Sequence, residues 1–295
     1  MPDTFYAASP HWSWYAVVEF FIAGLAGTAA GIAALLWLFG QRTDRVIARW
    51  GFGIATVGSM LSGLILIIDL KRPDRFWHML FFSKTYLPTF LKWWSVMALG
   101  AWALLIFGGV SFLIFVGSLA ESGRLPTWLA FLSRRPLGEI LATIAGLAGT
   151  FYAGYKGVLL DATNQPLWGD TVWIGALFFA SGMASAAAVL LLVAARRAPD
   201  TATWLRQLLL GALAVATIAT VLMVVTVSGD VLRLVLANVY GVLLALAVLF
   251  GMVVPFVLAW RPNLIGRYAL PSAAALVLVG AFVLRIAVII GAEAA

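Results

Sequence analysis

Glu19 lies inside an apolar run that begins near residue 13. A carboxyl group in that setting is expensive to insert into a membrane, so by default it marks a position with a job to do. A later apolar run ends Phe151-Tyr152-Ala153-Gly154-Tyr155-Lys156-Gly157, which offers two phenols and an ammonium within little more than one helical turn. Together these groups can move protons: a carboxyl takes or gives one, and a phenol O–H can hold a carbonyl oxygen while it reacts. Helices carrying Glu19 and Lys156 would approach the same boundary from opposite directions, which puts both side chains at comparable depth. Three readings follow: an ion pair, a snorkelling Lys156, or a protonatable pair beside a pocket. Tyr152 reads as a core aromatic, and Trp168, in the loop that follows, as an interfacial anchor. Arg285, inside the last apolar run, either pairs with Asp230, snorkels, or joins Glu19, Lys156 and Asp230 in a proton path.

A second cluster is the turn Asp69-Leu-Lys71-Arg72-Pro73-Asp74-Arg75-Phe76, dense in charge for a chain with only 11% charged residues. Pro73 lacks an N–H and restricts the residue before it, so the preceding helix must stop there. The loop then continues through His78, Lys84 and Tyr86 to Lys92. It reads as a platform at a membrane surface.

The elements that hold these residues follow from composition. Hydrophobic residues fill 63% of 295 positions, more than a water-soluble domain can bury. Runs at roughly 13–39, 46–69, 91–119, 137–160, 170–195, 204–226, 234–259 and 270–291 are each long enough to cross about 30 Å of hydrocarbon as a helix. They are continuous rather than alternating, which excludes barrel strands. The expectation is an all-α polytopic membrane protein of eight transmembrane helices, arranged as two four-helix bundles over residues 1–160 and 161–295. The first span is too long for a signal-peptide core and reads as retained. Arg42, Arg45, Arg49, Arg124, Arg134, Arg135, Arg196, Arg197, Arg206, Arg261 and Arg267 lie on one side, against Lys71, Arg72, Arg75, Lys84, Lys92 and Arg233 on the other. The positive-inside rule therefore makes the first set cytoplasmic and both termini outward, that is, periplasmic. The loop after Asp69 runs against that bias, either because a long loop translocates regardless or because it docks a partner through Lys71, Arg72, Arg75 and Lys84. The net charge of +7 is accounted for by this asymmetry, and no nucleic-acid motif accompanies it.

What the chain lacks is equally informative. Zero cysteines exclude an Fe–S cluster or thiol chemistry in this chain. The two histidines, His11 and His78, both fall near the outward surface and do not supply the facing pair that a membrane haem needs. There is no phosphate loop, zinc-binding helix or nucleophile elbow, and Asp69 with Asp74, interrupted by bases, makes a poor magnesium cage. Whether the chain belongs to an enzyme is left open; if it does, its redox cofactors sit elsewhere.

Four segments in order, Phe20-Phe-Ile-Ala-Gly-Leu-Ala-Gly27, Asp69-Leu-Lys-Arg-Pro-Asp-Arg-Phe76, Tyr155-Lys-Gly-Val-Leu-Leu160, and Asn164-Gln-Pro-Leu-Trp168 followed by Phe178-Phe-Ala-Ser-Gly182, resemble the NrfD/PsrC (polysulfide-reductase) family of membrane subunits through residue 195. The resemblance implies a quinone-interacting subunit of the bacterial inner membrane that anchors a four-cluster Fe–S protein, often with a molybdopterin catalytic subunit. It implies menaquinone or ubiquinone as bound substrate, with no haem, Fe–S cluster or metal in this chain. Matching the family's motifs places the quinone at Tyr15, Glu19 and Tyr155, with Asp69 and His78 beside them. Lys71 stands where the family pattern usually has Gly. A proton, ion or solute transporter using Glu19, Lys156 and Arg285 is the alternative of a different class, and a purely structural anchor is a third. Pro255 is the one clear interior proline, without the matching break in the other half that transporters tend to show.

Overall fold

The computed structural model describes residues 12, 14–82, 84–92, 94–163, 165 and 167–293, without the side chains of 234–236. His11, part of the aromatic cluster before the first helix, and Asn164 and Pro166 lie outside the described residues. Helices account for nearly all of the regular structure, and eight are long and apolar enough to cross a membrane. They are α1 (Trp14–Phe39), α2 (Arg45–Asp69), α3 (Val96–Glu121), α4 (Leu137–Asp161), α5 (Trp173–Ala194), α6 (Pro199–Thr226), α8 (Val239–Trp260) and α9 (Ala269–Arg285). A short helix, α7 (Gly229–Leu236), precedes α8. α9 runs on through a π-turn at Ile286–Ile290 and a last turn at Gly291–Glu293.

Three starts differ from the sequence reading for local reasons. The sixth span begins at Pro199 rather than near 204, with the proline in the first turn, where its missing N–H costs nothing. The third span begins at Val96 rather than near 91, because a 3₁₀ turn at Thr89–Leu91 comes first and the Ser95 hydroxyl caps the helix by accepting from the Ala98 N–H at 3.4 Å. The seventh begins at Val239 because the Asn238 side chain accepts from the Tyr240 N–H at 2.9 Å, restarting the helix after α7.

α1 and α5 are the innermost helices. α1 packs along α2 and α4 on one side and α5 and α9 on the other, so one helix is shared by every part of the interior that matters below. Its inward residues are mostly Ala and Gly, and small side chains let membrane helices approach until dispersion and weak hydrogen bonds can act. Outward faces of the remaining helices carry Leu, Val and Ile, as lipid contact requires. α4 and α5 touch backbone to backbone where Gly157 meets Gly175, leaving no room for a Cβ on Gly157.

The loop from Asp69 to Val96 is folded on itself. A 3₁₀ stretch, Pro73–Met79, follows the end of α2. An isolated bridge joins Phe81 to Pro88, and Thr89 donates to the Met79 carbonyl at 2.6 Å. Trp102 of α3 donates from its indole to the Leu80 carbonyl at 3.2 Å, and its ring receives Phe81 and Phe90 edge-on. Trp168, an interfacial anchor on the sequence reading, is instead fully buried. Its indole donates to the Val288 carbonyl at 2.9 Å, inside the π-turn of α9, where the wider turn disturbs the regular i→i−4 pairing. Trp12 packs edge-on against Trp168 and Phe20, and its backbone N–H meets the Glu293 carboxylate, so both ends of the described chain lie at one end of the bundle.

The tight α4–α5 approach can be tested directly. Gly157→Leu should lower the stability of the purified protein by about 1–3 kcal/mol, the usual cost of overpacking, read as a fall in thermal midpoint in detergent. Gly109→Ala, at a position where a Cβ meets nothing within 4 Å, should leave the midpoint unchanged. Equal behaviour of the two variants would mean that the helices do not meet at Gly157.

Candidate functional site

Glu19 is fully buried, near the start of α1, and Lys156 is buried five residues from the end of α4. Of the three readings open for these two side chains, the ion pair is present. The Lys156 ammonium donates to both Glu19 carboxylate oxygens at 2.7 Å. Tyr152 O–H donates to Oε1 at 2.7 Å, so one carboxylate takes three hydrogen bonds from two residues. Tyr152 and Lys156 are four apart on α4, which stacks them on one face toward α1. Sequence reasoning leaves Tyr152 in the core; its i, i+4 relation to Lys156 is the signal that could have found it.

Aromatic rings complete the enclosure. Lys156 Nζ lies 4.5 Å from the centroid of Tyr152 and 5.0 Å from that of Phe20, distances at which ring quadrupoles attract a cation. Tyr152 stacks on Phe107 of α3 at 5.8 Å and on Tyr155 at 6.3 Å. Tyr155 does not touch Glu19: its O–H donates to the Val96 carbonyl at 2.8 Å, at the first residue of α3. The result is a buried carboxylate–ammonium–phenol cluster with a second phenol one ring away. Such a cluster can hold a proton on any of its groups and can offer an O–H to an incoming carbonyl.

The other residues singled out in the sequence are placed differently. Tyr15, one turn before Glu19, is exposed, and no hydrogen bond or ion pair among the described residues joins it to the cluster. Asp69 is half-buried at the end of α2. His78 lies in the loop with its ring 3.9 Å from that of Trp77. Lys71, Arg72, Arg75 and Lys84 are exposed on the same loop, with Arg75 3.9 Å from Asp74. Lys71 has φ of 57°, the left-handed region that Gly occupies at little cost.

Arg285 and Asp230 are not paired. Asp230 is exposed on α7, whereas Arg285 is buried in α9 and neither snorkels nor meets a carboxylate among the described residues. Its guanidinium donates to the Ala281 carbonyl at 2.7 Å, and to Ser181 Oγ and the Phe178 carbonyl at 3.3 Å each. The rings of Phe178 and Phe21 lie 5.1 and 5.7 Å from it. Gly24 of α1 makes room for it, since a Cβ there would stand 2.8 Å from Nη2. Among the described residues no group of three or more His, Cys, Asp or Glu is arranged to hold a metal ion.

The buried pair predicts a coupled response. Lys156→Met, which leaves the Glu19 carboxylate buried alone, should cost about 3–5 kcal/mol. The double variant Glu19→Gln/Lys156→Met should be more stable than that single variant, with a coupling of about 0.5–3 kcal/mol in a double-mutant cycle on thermal unfolding. Additive losses would show that the two side chains do not act as a pair.

Comparison with known proteins bears on what this bundle is. The family model described as "Polysulphide reductase, NrfD" matches residues 3–295. The chain is 29% identical over 192 residues to the C subunit of the polysulfide reductase of Wolinella succinogenes, covering 59% of this chain and 55% of that protein. It is 26% identical over 202 residues to protein NrfD of Escherichia coli K12, covering 66% of this chain and 63% of that one. The chain thus spans less than two thirds of the length of either curated relative. With its eight membrane-crossing helices and a match that runs almost from end to end, this chain belongs to the NrfD family of multi-pass inner-membrane proteins.

Proposed function

We propose that this protein exchanges electrons between the membrane quinone pool and a peripheral Fe–S subunit, as the membrane anchor of a respiratory oxidoreductase complex. Members of its family are generally the quinone-linked anchors of oxidoreductases. The observation that carries the reading for this chain is the buried Glu19–Lys156–Tyr152 cluster, on the same side of the bundle as the loop that bears Lys71, Arg72, Arg75 and Lys84.

Quinol oxidation releases two electrons and two protons, so a site for it needs groups that give and accept protons beside a flat aromatic ring. Glu19 and Tyr152 supply the proton exchange, and Tyr155 supplies a second O–H once it leaves the Val96 carbonyl. Tyr152 stacks on both Phe107 and Tyr155, an aromatic setting that suits a quinone ring. Tyr15, Asp69 and His78 then belong to the rim of this pocket rather than to its floor. The quinone is menaquinone or ubiquinone.

Electrons must leave through a partner, because a chain without cysteine holds no cluster of its own. The Asp69–Val96 loop is the docking face proposed for a four-cluster Fe–S protein, itself attached to a molybdopterin subunit. Its exposed bases stand among exposed Phe76, Tyr86, Leu87 and Trp94, the mixture of cation and aromatic that protein interfaces favour. In this arrangement residues 1–160 form the bundle with the quinone pocket and docking loop, residues 161–295 form the second bundle, and both termini and the loop face the periplasm.

One observation favours a second reading, transport of a proton or ion. Arg285 is buried without a carboxylate among the described residues and sits directly before the π-turn of α9, while α8 has its own π-turn at Leu249–Val253 just ahead of Pro255. π-turns in helices gather at functional sites. That path would run through Glu19, Lys156, Arg285 and Asp230.

Purification from the native membrane in mild detergent separates the two readings. Electron transfer predicts a co-purifying iron protein, extractable quinone, and quinone-linked reduction that falls about 10²–10⁴-fold in Glu19→Gln, with a smaller fall in Tyr155→Phe. A partner-free protein with neither iron nor quinone would sink this reading and favour transport.

A further inference from the structure

A groove of about 480 Å³ opens toward the lipid between α1, α2 and α3, running from a mouth at the opposite end of the bundle from the Glu19 cluster up to Ile22, one turn along α1 from Glu19. Its walls are apolar, built from Ile22 and Leu25 of α1, Val57 and Leu61 of α2, and Phe115 of α3. Its mouth is not: Arg49 and Arg124 both line it, beside the exposed indole of Trp50. Arg49 Nε is buried and has no hydrogen-bond partner among the described residues. The carboxylate at this end of α3, Glu121, pairs with Arg45 at 3.5 Å. Arg45, Arg49 and Arg124 thus share Glu121 at this end of α3, and the residues lining the mouth of the groove carry a net positive charge.

We propose that this groove binds an anionic phospholipid, with its phosphate held by Arg49 and Arg124 and one acyl chain lying along α2. The dimensions fit a lipid of one leaflet. From Arg49 to Leu61 the helix rises about 18 Å, at about 1.5 Å per residue, close to half of the roughly 30 Å hydrocarbon core. Arginine forks match phosphate oxygens, and a buried guanidinium edge without an acceptor is what such an oxygen satisfies. Trp50 stands at the depth where indoles meet headgroups. A neutral amphiphile such as a quinone would fill the groove but leave both guanidiniums unpaired, so the charge argues for the lipid. The inference rests on the two guanidiniums at the mouth and not on the role of the Glu19 cluster, which lies beyond the groove's far end.

Delipidated protein titrated with phosphatidylglycerol or phosphatidylcholine of matched chains, and followed by native mass spectrometry, reads this directly. The wild type should prefer phosphatidylglycerol. Arg124→Gln and Arg49→Gln should each weaken that binding about fivefold, and the double variant should abolish the preference. Arg49→Lys/Arg124→Lys should retain most of it, which separates loss of charge from loss of fold. Val57→Trp, which narrows the groove, should weaken both lipids alike. Should Arg49→Gln prove too unstable to purify, the exposed Arg124→Gln alone decides the matter. Equal binding of the two lipids by the wild type, unchanged preference in Arg124→Gln, or displacement of phosphatidylglycerol by a neutral quinone would each overturn the proposal.

Discussion

The ion pair between Glu19 and Lys156 is the constraint on which the architecture of the N-terminal helices rests. Two charges taken from water into a bundle lose hydration worth several kcal/mol each, and their attraction compensates only when contact is close and remaining lone pairs are occupied. Both conditions are met here by the same face of α4: Lys156 reaches both carboxylate oxygens, and Tyr152, one turn earlier, takes a further lone pair. The contact also fixes register. A slide of α1 against α4 by one turn would carry Glu19 about 5.4 Å from its partners, so the small residues that let the helices approach do not leave them free to shift.

α1 carries this demand on one side and a second on the other. Arg285 is as deeply buried as Lys156, yet its Nη atoms donate to backbone carbonyls and a serine hydroxyl rather than to a carboxylate, and its Nε has no hydrogen-bond partner among the described residues. Carbonyls of helices are normally occupied, so a guanidinium must find ones with spare lone pairs. It takes the Ala281 carbonyl on its own helix and the Phe178 carbonyl on α5, and Gly24 leaves the space. Phe20 and Phe178, in edge-on contact at 6.1 Å, lie between the two cations, one ring facing each. α1 thus holds apart a neutralised pair and a net positive charge, which explains why it is the most enclosed helix with α5.

The spans were legible because hydrocarbon leaves few alternatives: a run of apolar residues long enough to cross must be helical, and charge marks its ends. Depth places Glu19 and Lys156 at one level by the same logic, but does not choose between a pair and a snorkelling lysine. Helical phase and irregular backbone are less legible. Tyr155 donates to the Val96 carbonyl, while Tyr152, a core aromatic on the sequence reading, shares a face with Lys156 and reaches Glu19, as its i, i+4 spacing allows. Trp168 could not be placed from sequence because its partner is a carbonyl in a π-turn, and nothing in Ile286-Ala-Val-Ile-Ile290 announces one. Arg285 could not be assigned because its acceptors include backbone atoms of another helix. Lys71 is the opposite case. The family pattern has Gly there, and the left-handed backbone supplies the reason, at a cost of roughly 1–2 kcal/mol for a residue with a side chain.

That cost is carried by a loop which is otherwise well tied. Trp102 holds it from α3, Thr89 closes it on Met79, and Trp77 stacks on Tyr86 at 6.0 Å. Left-handed Lys71 turns the chain immediately after α2, ahead of the 3₁₀ stretch beginning at Pro73. A long loop held this way has already lost its conformational entropy. A partner that docks on Lys71, Arg72, Arg75 and Lys84 would therefore meet a preformed surface, and the ordering cost that weakens flexible interfaces would have been met during folding. Glycine at position 71 would relieve the strain but loosen the turn, and it would remove one of the exposed charges. The strain is thus the local consequence of placing a base at the turn itself.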